Sequence, residues 1–299
     1  MRLGEPQPGR RPKRSVLSLS QSPLRIVQVS DIHCGTPTFK PDLMASVVER
    51  CNRLRPDVVV VVGDLTADGY EWEFEEVAGW LERFDATTLV VPGNHDARNL
   101  GYVHFERHFG ERFWRFRMDF TPERAERLQA GGATFVGVDS SEPDLNEGRV
   151  GREWYGWIRD QFDHPDDIKV FVIHHHLVSL PNTGRERNTV SDAGDLLDVL
   201  TGAAVDIVLS GHKHVPFFWG LNGTLICHSG TAATGRVRGL TPPSWNEVRV
   251  DASTIKVHVH YEEGRRGLAM VRTRANRAAI REALYLTDSF RASNPIPAE

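Results

Sequence analysis

The sequence predicts an α/β fold built on a mostly parallel sheet covered by helices on both faces. Three observations predict it. From residue 24 to residue 91, short apolar β-branched runs alternate with stretches of helical periodicity. The runs are continuously apolar, as for strands buried on both faces. Each run then ends on small polar or ionisable residues, at the carboxyl edge where such folds gather their active groups.

The elements follow in order. Leu24 to Ser30 reads as a buried strand. Pro41 to Leu54 reads as a helix: Pro41 suits its first turn, and Leu43, Met44, Val47, Val48, Cys51 and Leu54 recur at helical spacing. Asp57 to Val62 is the second strand, Tyr70 to Phe84 the second helix and Thr87 to Val91 the third strand. Residues 99–120 break the rhythm. Aromatic residues alternate there with Arg107, Arg112, Arg115 and Arg117, and a helical cap packed on the core is expected in preference to a base-stacking surface. Strands resume at Ala133 to Asp139, Lys169 to Ile173 and Val205 to Leu209, separated by helices at Arg152 to Phe162 and Ser191 to Leu200 and a loop over 179–190. Phe217 to Trp219, Thr224 to His228, Glu247 to Val250 and Ile255 to Val259 read as antiparallel strands. Asn222-Gly223 and Asp251-Ala252-Ser253 supply their turns, the first more strongly. Ala275 to Tyr285 reads as a C-terminal helix. The expected organisation is one domain over residues 24–290, a disordered basic tail over 1–23 and a frayed end over 291–299.

Composition bounds the function. With 40% hydrophobic and 25% charged residues over 299 positions, the composition is ordinary for a soluble globular protein. Residues 1–23 carry +4, which leaves −8 for the rest of a chain whose total is −4. An acidic body argues against a nucleic-acid groove. No apolar run reaches the roughly 20 residues of a membrane helix, and the Arg10-Arg11 pair is not followed by an apolar export segment. Cys34, Cys51 and Cys227 make no disulfide framework, so a reducing, cytoplasmic setting is expected. Cys34, beside His33, is read as a small turn residue rather than a thiolate ligand. A small phosphate-ester substrate is the expected partner, and a homodimer is compatible with the sequence.

The strand ends carry the chemistry. Asp31-Ile32-His33 follows Leu24 to Val29, and Gly63-Asp64 follows Val58 to Val62. Gly93-Asn94-His95-Asp96 follows Thr88 to Pro92, His174-His175-His176 follows Val170 to Ile173, and Gly211-His212-Lys213-His214 follows Val205 to Leu209. Ionisable groups behind buried strands are costly unless they bind something. The candidates Asp31, His33, Asp64, Asn94, His174, His212 and His214 offer seven O and N donors, too many for one transition metal and a reasonable number for two. Imidazole with carboxylate suits Mn, Fe, Zn or Co better than Ca. Asp31 and His33, two apart on an extended segment, are expected to point the same way, as are His212 and His214. Each motif alone is common; five in order at strand ends are not.

This ordered set resembles the calcineurin-like metallophosphoesterase family over roughly residues 24–230. The resemblance implies a four-layer α/β/β/α sandwich with two facing mixed sheets. It also implies that Asp31, His33, Asp64 and His214 hold one metal and that Asp64, Asn94, His174 and His212 hold the other, with Asp64 bridging. His95 would approach the substrate, oriented by Asp96. Relatives in the phosphodiesterase branch often read His-His-Pro-Pro at the fourth block; here it is His174-His175-His176-Leu177. His174 is chosen because it directly follows the strand, with His175 and His176 as the alternatives. The implied reaction is hydrolysis of a phosphate ester by a metal-bridging hydroxide, with cyclic nucleotides or glycerophosphodiesters as substrates and Arg98 as one candidate phosphate contact. The alternatives are a phosphomonoesterase, nucleotidase or nucleotide-sugar pyrophosphatase on the same site, and a non-catalytic metal-binding scaffold.

Overall fold

A computed structural model describes residues 22–181, 183, 189–237 and 241–274. The basic tail up to residue 21, the C-terminal helix read at Ala275 to Tyr285 and the end at 291–299 lie outside the described residues.

The first βαβ series runs as read. Strand β1 (Leu24–Val29) leads to helix α1 (Pro41–Leu54), β2 (Val58–Val62), α2 (Glu71–Leu81) and β3 (Thr87–Val91). All five residues of β2 are valines and all are buried. The three strands pair in parallel. A 3₁₀ turn at Arg98–Leu100 and α3 (Gly101–Phe109) follow, then β4 (Trp114–Asp119), α4 (Pro122–Leu128), β5 (Gly132–Val138), α5 (Tyr155–Gln161), β6 (Ile168–Ile173), α6 (Ala193–Gly202) and β7 (Ile207–Ser210). The described residues close with β8 (Phe217–Leu221), β9 (Thr224–His228), β10 (Ser244–Val250), β11 (Thr254–Tyr261) and β12 (Arg266–Thr273).

These strands form two mixed six-stranded sheets, in the orders β12-β11-β10-β1-β2-β3 and β4-β5-β6-β7-β9-β8. Strands buried on both faces must be covered twice, and the packing shows how. Ile26, Val58, Val60 and Val62 of the first sheet meet Phe135, Val170, Val172 and Leu209 of the second in a central core. On the outer face of the first sheet, Val27, Val29, Val59 and Val61 pack on Met44, Val47 and Val48 of α1 and Phe74 and Val77 of α2. On the outer face of the second, Val136, Val138, Phe171 and Val208 pack on Ile158, Leu196 and Leu200 from α5 and α6. The result is the four-layer α/β/β/α sandwich with two facing mixed sheets. Among the described residues, no helix is long and apolar enough to cross a membrane.

Three differences from the sequence reading have local causes. The segment expected as a helical cap over 99–120 is helical only over the 3₁₀ turn and α3; Trp114–Asp119 is instead an edge strand paired antiparallel with β5. Its alternation of aromatic and arginine residues has the period of a strand, with Trp114, Phe116 and Met118 turned onto the central core. Each arginine of this stretch meets a carboxylate: Arg107 Glu71, Arg112 Glu106 and Asp139, Arg115 Asp163, and Arg117 Asp167 and Asp119. The second unanticipated strand, β12, lies at a sheet edge with most of its residues exposed, so it carries little apolar signal. Helix α4 is too short to show a period. By contrast, the Asn222-Gly223 hairpin joins β8 to β9 as read, with φ of 45° and 88°, the two left-handed positions such a turn needs.

Candidate metal centre

The carboxyl ends of β1, β2, β3, β6 and β7 deliver the donors to one edge of the sandwich, but not by strand alternation. Asp31, His33, Asp64, His212 and His214 all have left-handed backbones, with φ of 54°, 51°, 50°, 72° and 57°. Side chains two apart converge here because the backbone turns, which corrects the expectation of extended Asp-x-His and His-x-His segments. A non-glycine residue in this region costs about 1–3 kcal/mol and persists where the surroundings over-determine it. The surroundings do so. Asp31 N donates to Gly63 O, His33 N to Asp64 O and Cys34 N to Leu65 O, zipping the two loops together. Gly93 is required by close approach: a Cβ there would stand 2.3 Å from Asp64 Oδ1.

Two donor groups result. In the first, His33 Nε2 lies 3.0 Å from His214 Nε2, and His214 Nε2 lies 3.3 Å from Asp31 Oδ1. In the second, His174 Nε2 lies 3.3 Å from Asp64 Oδ1 and 3.3 Å from His212 Nδ1, which is 2.9 Å from Asn94 Oδ1. Asp64 sits between them, its Oδ2 3.7 Å from His33 Nε2. The structure thus brings all seven predicted donors together. His174 is the member of its triplet that faces Asp64. His175 is engaged through Nδ1 with Ser140 Oγ at 2.8 Å and through Nε2 with Asn146 O at 3.3 Å, and the ring of His176 stacks on His212.

The electrostatics call for cations. His174 Nδ1 faces the Val62 carbonyl at 2.8 Å and His214 Nδ1 faces the Arg236 carbonyl. A carbonyl only accepts, so both Nδ1 atoms carry protons, and each Nε2 faces a carboxylate oxygen, where its lone pair takes either a proton or a metal. Acceptor facing acceptor is stable only with a proton or a metal between. Asp31 Oδ1 is buried with no hydrogen-bond donor, whereas its Oδ2 takes Ser30 Oγ and His212 N. Burial opposes charge on His174, yet Asp64 and Asp31 beside it raise its pKa to about 9. His214 is raised in the same way by Asp31. Burial pushes the Asp64 carboxyl up, but His174, His95 and His33 outweigh it and hold the group well below its ordinary range. Burial holds His33 neutral, down to about 3. The donor set therefore fits metal ions: ionised carboxylates, neutral His33 and His212, and His174 and His214 with Nδ1 fixed by a backbone carbonyl so that a metal can replace the proton on Nε2. Cys34 stays outside both groups, its thiol pushed up by burial.

His95 adjoins both groups. Its ring centroid is 4.6 Å from that of His33, its amide donates to Asp64 Oδ1 at 2.9 Å, and its Nδ1 bonds the Ala67 carbonyl. Asp96 does not orient it. The Asp96 carboxylate is taken by Leu65 N, Thr66 N, Thr66 Oγ1 and Gly93 N, at 2.7–3.1 Å. It ties the loop after β2 to the loop after β3, because a buried carboxylate settles where amide donors converge. The orienting partner of His95 is a backbone carbonyl, which no sequence motif displays.

A cavity of about 150 Å³ opens onto Asp64, Asn94, His95, His212 and His214. It is also lined by Arg98, Asn146 and Arg236. Arg98 meets Asp68 Oδ1 at 3.0 Å and Asn146 Oδ1 at 3.2 Å; Asn146 Oδ1 also accepts from Asn94 Nδ2 at 3.3 Å. Asn146 and Arg236 escaped the sequence reading, since neither follows a buried strand or belongs to a recognisable motif.

Comparison with known proteins agrees with this geometry. A family model described as calcineurin-like phosphoesterase matches residues 24–216. A probable cyclic nucleotide phosphodiesterase of Synechococcus sp. is 23% identical over 242 residues, covering 76% of this chain and 88% of that protein. A 3′,5′-cyclic-nucleotide phosphodiesterase of Nostoc sp. is 26% identical over 215 residues, covering 65% and 73%. The fold is shared with a dimetal phosphatase from Danio rerio, at a TM-score of 0.62 and 14% identity over 85% of this chain and 99% of the other. The chain belongs to the calcineurin-like phosphoesterase family and is a metal-dependent phosphoester hydrolase.

Proposed function

We propose that the protein is a phosphodiesterase acting on a small diester, of the cyclic-nucleotide or glycerophosphodiester class, at a two-metal centre. Asp31, His33, Asp64 and His214 would hold one ion and Asp64, Asn94, His174 and His212 the other. The observation that carries the reading is Asp64, whose two oxygens face the two donor groups separately. Two such cations supply Lewis acidity toward phosphoryl oxygens and lower the pKa of coordinated water. Mn, Fe, Zn and Co all suit this donor set.

The chain's own residues do the remaining work. Asp64 and Asp31 supply fixed negative charge where two cations would otherwise repel. Val62 O and Arg236 O hold the His174 and His214 rings in the tautomer that leaves Nε2 free. His95 commits its Nδ1 proton to Ala67, so any proton it gives to a leaving oxygen travels through Nε2. The names of the two phosphodiesterase relatives above are what favour a diester over a monoester.

The test is hydrolysis of bis-p-nitrophenyl phosphate against p-nitrophenyl phosphate, with each of the four metals added to chelator-treated protein. Cyclic nucleotides and glycerophosphodiesters are then screened in the best metal. A higher kcat/KM for the diester is expected. Faster monoester turnover would make the protein a phosphatase, and no turnover in any metal would leave a binding scaffold.

A further inference from the structure

The cavity at the donor groups is lined by two arginines in opposite states. Arg98 is tied down: Asp68 matches its charge, and its second amino group is spent on Asn146. Arg236 is the reverse. Its backbone is built into the centre, with its carbonyl accepting from His214 Nδ1 and its amide donating to Thr234 Oγ1 at 3.1 Å. Thr234 is in turn held by Thr38, and the neighbouring Gly235 N donates to Thr38 O at 2.9 Å. Among the described residues, its guanidinium meets no carboxylate and no hydrogen-bond acceptor. A pinned backbone with an unengaged planar cation, on the wall of a cavity that must accept an anion, is the arrangement expected of a phosphoryl ligand. A guanidinium presents paired N–H donors that match two phosphoryl oxygens.

We propose that Arg236 binds the non-bridging phosphoryl oxygens of the substrate and sets its affinity, and that Arg98 does not. The proposal rests on the phosphoester reading above. Arg98 serves instead as a positioning residue: through Asn146 it holds the Asn94 amide, whose Oδ1 faces His212. Arg236 lies 22 residues beyond His214, yet the bond from its carbonyl makes its place depend on the same imidazole that faces Asp31.

The test compares wild type with Arg236→Gln, Arg236→Lys and Arg98→Gln in the Mn²⁺-loaded protein. Metal content is measured on every sample. Two readouts are taken: KM and kcat for bis-p-nitrophenyl phosphate, and calorimetric binding of inorganic phosphate, which needs no turnover. Arg236→Gln is expected to raise KM and the phosphate Kd by about tenfold or more, the size of one charge-assisted hydrogen bond, with metal content unchanged. Arg236→Lys should recover part of that loss. Arg98→Gln should change phosphate affinity less than Arg236→Gln does. The proposal is overturned if Arg236→Gln leaves both constants within about twofold of wild type, or if Arg98→Gln is the more damaging. Should wild type bind phosphate through Arg236 and hydrolyse no ester, the phosphodiesterase reading fails and this one stands.

Discussion

Two clusters of buried charge in this molecule solve the same problem in opposite ways. Glu247, on β10, is fully buried, and its carboxylate is met by Arg249 Nε at 2.7 Å, His260 Nε2 at 3.0 Å, Arg266 Nη2 at 3.1 Å and Arg25 Nε at 3.2 Å. The chain supplies every positive charge that site needs. At the strand ends, Asp31 and Asp64 are equally buried, but their neighbours are imidazoles, which carry positive charge only by taking up a proton, and Asp31 Oδ1 has no hydrogen-bond donor. A self-neutralised cluster is structural. A cluster that can be neutralised only by protons or bound ions is a candidate binding site, and the difference is visible before any ligand is considered.

The comparison is broken most decisively at Asp64. Asp64→Asn removes the charge between the two donor groups and should abolish ester hydrolysis by about a thousandfold or more, with metal content falling in elemental analysis. Retention of both ions would show that the strand-end cluster does not depend on Asp64. His95→Ala should lower kcat by about a hundredfold with the metal content unchanged, the usual range for loss of a general acid. Loss of metal in that variant would widen the donor set to include His95. A pH titration sharpens the contrast next. His174 holds a proton up to about pH 9, well above its ordinary 6.5, and a metal must displace it. Apparent metal affinity should therefore rise by up to about tenfold per pH unit below that value, with proton release on binding, measurable by calorimetry in two buffers.

Glu247 should behave in the complementary way. Glu247→Gln leaves metal content and kcat alone but costs about 2 kcal/mol of stability, because three guanidinium groups lose their shared partner. Burial pushes this carboxyl up, but His260 and the arginines outweigh it and hold it at about 2, below its ordinary 4.5. Its contribution to stability is thus fully present above pH 4.5 and is lost as pH falls toward 2. Denaturant midpoints across that window should show an acid limb that flattens in Glu247→Gln. The smallest expected effect is at Asn146, where Asn146→Ala frees the Asn94 amide and should weaken metal binding by only about threefold, one neutral hydrogen bond, in a competition titration.

Much of this was written in the sequence because it is local. The five apolar runs, the helix on Pro41, the Asn222-Gly223 turn and the order of the donor blocks each depend on residues within a few positions of one another. The resemblance those blocks carry extended that reading to two facing sheets. Local reasoning failed where a partner is distant. Asp96 was read as the neighbour of His95, yet it serves Leu65 and Thr66, about 30 residues upstream. Trp114–Asp119 was read as part of a cap although its alternation has the period of a strand, because the strand that pairs with it, β5, lies farther along the chain.

The sequence by itself determined which side chains could hold a metal, since carboxylate, imidazole and amide types recur at the ends of buried strands. Tertiary structure alone decided which atoms face the site. His212 N reaches Asp31 across 181 residues, and His214 takes its tautomer from Arg236 O. The physical reason is one of range: hydrophobic periodicity is set by the step of the chain, whereas hydrogen-bond direction is set only when two sheets close on one core.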